Sequence, residues 1–166
     1  MQKNKEGIRP RHFIYEELDV FTASEIMKLP VVKVTPDTSV DDAVELMLKH
    51  NLSGVPVVDS DGHLVGMFSE TDQFDCGFSA QSQARVTEYM TSDVTSLDVD
   101  DPLVDVAQAF KATPVHRMPV TCEGSVVGVI GCRDLAQFVR ELEKEFQTLS
   151  QLVTCPDEPD LWCNND

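Results

Sequence analysis

No apolar run in this chain approaches the roughly 18–20 residues that a membrane-spanning helix needs, so no transmembrane segment is expected. The start does not read as a secretory signal either. Residues 1–6 are polar and bear lysines, with no apolar stretch behind them. Both absences lead to the expectation of a cytoplasmic protein. Basic charge is scarce as well: 13 Lys and Arg stand against 29 Asp and Glu, for a formal net charge of -16. Residues 1–33 are nearly balanced, with six basic and five acidic side chains, so the excess falls on the remainder. Such a surface repels nucleic-acid polymers and anionic membranes. It does not exclude a small anion, because a few local cations in a cleft can outweigh a distant, screened field.

The five cysteines, at positions 76, 122, 132, 155 and 163, are odd in number and form no CxxC pair. That argues against a disulfide framework or a zinc site. The four histidines, at 12, 50, 63 and 116, have no ligand-like spacing. Also missing are a nucleophile–base constellation, paired metal ligands and a glycine-rich phosphate loop, so an enzyme has little support and no cofactor is expected to be required.

What the chain does have is a repeat. Met27, Val31, Asp42, Pro56 and Val57 recur as Met90, Val94, Asp105, Pro119 and Val120. After a one-residue deletion in the second copy, Val65, Gly66 and Asp72 recur as Val127, Gly128 and Asp134. Two copies can build a shared cleft with two-fold related walls, which one copy cannot.

Each copy opens with a short apolar stretch, Val31–Val34 and Val94–Leu97, read as extended segments. A helix follows. In the first copy Ser39 and Asp42 have capping-box spacing, and Val40, Ala43, Val44, Met47 and Leu48 share a face. In the second, Pro102 suits a first helical position, with Leu103, Val106, Ala107 and Phe110 on the matching face. Two strands come next, each pair joined at an Asp-Gly or Glu-Gly turn, Asp61-Gly62 and Glu123-Gly124. Pro56 and Pro119 are expected at edge or first-residue positions. Second helices begin near Thr71 and Arg133, and the latter carries an apolar face, Leu135, Phe138, Val139, Leu142, Phe146 and Leu149, to about residue 150.

The expected fold class is therefore α/β (α+β): two β-α-β-β-α units related by a pseudo-two-fold axis, sheets packed together and helices outside. The units are placed at 22–80 and 81–146. Residues 1–21, with Phe13, Ile14, Tyr15, Leu18 and Phe21, are expected to pack on the pair. Residues 147–166 are read as an acidic, mostly disordered tail in which Trp162 is a candidate anchor.

Chemistry gathers at the strand-to-helix junctions. Gly66-Met67-Phe68-Ser69-Glu70-Thr71-Asp72 spaces a hydroxyl and a carboxylate as G-x-x-S-x-x-D. A helix start suits phosphate, and a carboxylate one turn on can accept from both hydroxyls of a ribose. The same residues equally fit a bare helix cap, Ser69 capping and Asp72 complementing the dipole. The second copy, Gly128 to Asp134, keeps the carboxylate but replaces the hydroxyl by Gly131. Arg133 precedes Asp134, and His116-Arg117 precedes Met118-Pro119. Arginine forks grip phosphate bidentately, although Arg117 and Arg133 could equally pair with surface carboxylates.

These units, the Val-Pro-Val and Arg-Met-Pro-Val strands and the G-x-x-S-x-x-D junction resemble the cystathionine-β-synthase (CBS) domain. Two in tandem, over roughly residues 22–140, resemble a CBS pair, or Bateman module. The resemblance implies a regulatory fold with two related clefts for adenosine-containing ligands: AMP, ADP or ATP, less often S-adenosylmethionine or NAD. It implies that Asp72 holds the ribose in one cleft, that Ser69 lies by the phosphate, and that Val94 and Thr95 flank the adenine beside Met67. His116, Arg117 and Arg133 would face the phosphates. The second cleft would use Asp134 with Val31 and Val32, and Ser53 where the first has His116. Gly131 and Ser53-Gly54 depart from the pattern there, so one occupied and one weak or empty cleft are expected. A homodimer and an unidentified regulated protein are the implied partners. The alternative is a ligand-free structural or interaction module acting through dimerisation.

Overall fold

The structure, a computed structural model, describes residues 20–76 and 84–153. The chain begins with a short helix α1 (Ala23–Ile26), then α2 (Val40–His50), a hairpin β1 (Gly54–Val58) and β2 (Leu64–Ser69), and α3 (Glu70–Asp75). A 3-10 turn at Val86–Glu88 leads to β3 (Leu97–Asp98), α4 (Leu103–Ala112), the hairpin β4 (Arg117–Cys122) and β5 (Ser125–Gly131), and the long α5 (Cys132–Val153). The mixed α+β class and the doubled unit are as the sequence implies.

Local sequence accounts for most elements. Ser39 Oγ accepts from the Asp42 N–H at 3.1 Å, closing the first turn of α2, and Val40, Ala43 and Met47 bury its inner face. Leu48, expected on that face, is instead 75 % exposed. One residue past Met47 is a turn of about 100°, enough to carry it off the buried stripe. Glu123 and Gly124 both have positive φ, 50° and 83°, which is the two-residue turn matching the twist of a hairpin. At the other hairpin, Asp59 Oδ1 accepts from the N–H groups of Asp61 and His63, both at 2.9 Å.

Three expectations change. Pro56 and Pro119 lie inside β1 and β4, not at strand starts, and β4 is the central strand of the order β3-β4-β5. Both are tolerated because the neighbouring segment takes the proline's side of the strand without its N–H: the Val34 N–H donates to the Pro56 carbonyl at 3.0 Å, and β3 begins its pairing only at Val120. The opening segments are barely strands: Val34 makes a single parallel bridge to Val57, and the second strand is only Leu97–Asp98. Finally, α5 runs to Val153, past the residue near 150 where its apolar face ends. Leu135, Phe138, Val139 and Leu142 pack on the second core. Of the apolar head, Phe21 packs there too, its ring edge-on to Phe138 at 5.2 Å. Residues 1–19 and 154–166, with Phe13, Tyr15 and Trp162, lie outside the described residues.

The two cores do not follow chain order. The first joins Val34, Val40, Ala43, Met47, Val55, Val57 and Phe68 to Val86, from the start of the second repeat. The second joins Leu97, Leu103, Val106, Met118, Val120 and Ile130 to Ala23 and Ile26, from the start of the first. Backbone bonds fix both crossings: Ala23 N–H to the Asp101 carbonyl at 2.9 Å, and Val86 N–H to the Thr38 carbonyl at 2.9 Å.

The repeated Met and Gly are partners in this exchange. A Cβ on Gly66 would meet Met90 Sδ at 2.6 Å and the Thr91 carbonyl at 3.0 Å, and one on Gly128 would meet Met27 Cβ and Cγ at 2.8 Å. Each glycine therefore gives room for the other repeat's methionine. Gly128→Ala is expected to cost about 1–3 kcal/mol by overpacking. In urea melts, adding Met27→Ala should recover part of that loss, because the two positions touch.

Candidate functional site

Between the two units lies a cleft of about 440 Å³. One wall is the first hairpin and its junction: Ser53, Gly54, Met67, Ser69, Glu70, Thr71 and Asp72. The other comes from the second repeat: Thr91, Asp93, Val94 and Thr95 on its opening segment, and Pro114 to Arg117 before β4. The walls are joined by backbone, since Met67 and Thr91 exchange two N–H to carbonyl bonds of 2.9 Å.

The junction carboxylate is held firmly. Asp72 Oδ2 accepts from the Ser69 N–H at 2.7 Å and from the Ser69 hydroxyl at 2.6 Å. This reciprocal cap forms because Ser69 leaves β2 extended while Asp72 sits one turn into α3. Asp72 is half-buried, and its Oδ1 has no bond among the described residues. Behind it, Cys76 Sγ donates to the Asp72 carbonyl at 3.4 Å, and burial, with Asp72 and Asp75 nearby, pushes that thiol above its ordinary pKa. Across the cleft, Arg117 Nε donates to Ser53 Oγ at 3.2 Å. Nε being engaged, the two terminal guanidinium nitrogens remain for an anion.

Of the residues expected from the sequence, Met67, Ser69, Asp72, Val94, Thr95, His116 and Arg117 are all brought to this cleft. Arg133 is not among its lining residues; it is exposed on the first turn of α5. Ser53 also departs from expectation. Its repeat position points to the second cleft, but the pairing of Gly54 with Ser69 holds it at the first, against Arg117.

Asp134 sits at the related junction. Its Oδ2 accepts from the Gly131 N–H at 2.9 Å, with no hydroxyl to match Ser69. Its Oδ1 lies 3.7 Å from Lys28 Nζ, in a pair whose lysine is 65 % exposed, which is worth little in stability. Lys28 follows Met27 as Thr91 follows Met90, so a lysine stands where the first cleft has a threonine. Val32 is half-buried against the first core. Lys28, Glu70 and Asp93 were not singled out from the sequence. The first was legible as the partner of Thr91 in the repeat; the others carry no signal until the junctions are folded.

The family model for the CBS domain matches residues 23–72 and again residues 86–141. The chain belongs to the CBS domain family. It is a tandem CBS pair. The CBS domain-containing protein YhcV of Bacillus subtilis is 29 % identical over 118 residues, 69 % of this chain and 83 % of that protein. Other curated relatives are longer: the chain spans 41 % of the uncharacterised protein MJ1225 of Methanocaldococcus jannaschii, at 28 % identity over 69 % of its own length. Among solved structures, CBSX2 in complex with AMP is 26 % identical, with a TM-score of 0.67 over 74 % of this chain and 98 % of that one. The CBS pair of MJ0100 in complex with 5'-methylthioadenosine and S-adenosylmethionine is 25 % identical, with a TM-score of 0.66 over the same shares. No helix among the described residues is long and apolar enough to cross a membrane.

Proposed function

We propose that this CBS pair is a regulatory sensor that binds one adenine nucleotide in the Asp72 cleft. Asp72 Oδ1 receives the ribose hydroxyls, and Ser69 lies near the phosphate. Met67, Val94 and Thr95 surround the adenine, and Arg117 with His116 takes the phosphate. The supporting observation is the convergence of these residues, from both repeats, on one cleft. The adenosine ligands of the structural relatives point the same way. At the Asp134 junction, Gly131 and Lys28 argue for a weak or empty second site.

Units of 22–80 and 81–146 acting in a cytoplasmic homodimer fit this reading. A groove of Val44, Met47, Leu48, Leu52, Gln73 and Phe74 between α2 and α3, with Glu70 at its border with the cleft and Phe74 69 % exposed, offers a face for such pairing. The same groove favours the second reading, an interaction module without ligand. Ligand binding would act by favouring one packing of the two units over another and so altering the dimer or a partner.

Calorimetry and thermal shift with AMP, ADP, ATP and adenosine separate the two readings. Heat and a raised melting temperature are expected, and silence at millimolar ligand would leave only the interaction module. Arg117→Ala is expected to weaken AMP about 10- to 100-fold, the worth of a charge-assisted hydrogen bond, while adenosine changes far less. Equal losses for both ligands would remove Arg117 from the phosphate.

A further inference from the structure

Positive charge is scant at the arginine's end of the cleft. Glu70 is the first residue of α3, and its N–H donates to the Ser53 carbonyl at 3.1 Å. Ser53 Oγ in turn accepts from Arg117 Nε at 3.2 Å. A single residue thus ties the backbone of an acidic side chain to the guanidinium, and both belong to the lining. Asp93 lines the cleft too. With Asp72, three carboxylates share the lining with one guanidinium and one imidazole. Glu70 and Asp93 are exposed, and among the described residues neither has an ion-pair partner.

We propose that Glu70 makes this cleft selective for adenosine ligands of low negative charge, a nucleoside monophosphate over the di- and triphosphate. The proposal rests on the adenine-nucleotide reading of the cleft and adds to it the choice of ligand. Arg117, with Nε engaged by Ser53, has one fork to offer, and a fork serves one phosphate. A second and third phosphate meet no further arginine or lysine in the lining, and they bring their charge among Glu70 and Asp93. Like charges brought together at an exposed cleft repel, and added salt weakens that repulsion. Specificity can be built by repelling the wrong ligand as well as by fitting the right one.

The test is calorimetry of adenosine, AMP and ATP in magnesium-free buffer, on the full chain, as wild type, Glu70→Gln and Asp93→Asn, with melting temperatures to confirm folding. Wild type is expected to bind AMP at least about 10-fold more tightly than ATP, with the gap narrowing as salt screens it. Glu70→Gln should tighten ATP more than AMP, shrinking the ratio about fivefold or more, and Asp93→Asn should shrink it less. ATP binding as tightly as AMP in wild type, or a ratio untouched by Glu70→Gln, overturns the proposal. If adenosine and AMP bind in that case, the adenine-nucleotide reading survives; if neither binds to wild type, that reading falls and this one with it.

Discussion

Asp72→Ala is expected to abolish AMP binding while leaving a folded protein. Two ribose hydroxyls donating to a carboxylate are worth about 1.5–3 kcal/mol each, so their loss amounts to about 100-fold in affinity or more. The carboxylate also receives the Ser69 N–H and hydroxyl. Removing that cap costs about 1 kcal/mol, a drop of about 2–4 °C in melting temperature for a chain of this size. Calorimetry and a thermal melt on the same variant separate the two effects. Affinity within about threefold of wild type, with the cap cost visible in the melt, would show that Asp72 serves the helix and no ligand. Asp134→Ala should change AMP binding less.

The second large effect is on stability. Val86 is fully buried in the first core, although it belongs by sequence to the second repeat. Val86→Asp places an unpaired carboxylate there. The expected loss is about 3–5 kcal/mol, out of a total of about 5–15 kcal/mol for a domain, and a melting temperature lower by about 10 °C or more. The milder Val86→Ala locates the damage by hydrogen exchange. Protection should fall first in β1 and β2, residues 54–69, and later in β4 and β5. The reverse order would mean that Val86 supports its own repeat's hairpin instead.

Much of this was legible because the signals are local. Hairpins follow from Asp-Gly and Glu-Gly turns, α2 from its cap and apolar period, and the junction from Ser69 and Asp72 being one helical turn apart. The repeat implied a second wall, and the resemblance to CBS pairs named Val94, Thr95, His116 and Arg117 on it. What the sequence hid depends on pairing. Ser53 joins the first cleft because Gly54 pairs with Ser69 across a hairpin, while a comparison of repeats treats it as the counterpart of His116. Leu48 satisfies the helical period yet faces solvent, since periodicity marks a stripe and not its edge. The crossing of residues 21–28 and 84–91 into each other's cores leaves one trace in the sequence, the recurrence of Met and Gly together, whose meaning depends on the two touching in the fold.

Met67 and Thr91 give that crossing a mechanical meaning. Both line the cleft, and two backbone hydrogen bonds stitch one to the other. The segment bearing Thr91 is anchored upstream by Val86 in the first core and continues downstream to Leu97 in the second. Such a cleft has no free jaw to swing. Its wall is the thread that sews the halves together, so opening the cleft at this point means breaking both bonds, and a displacement at Met67 pulls on both cores at once.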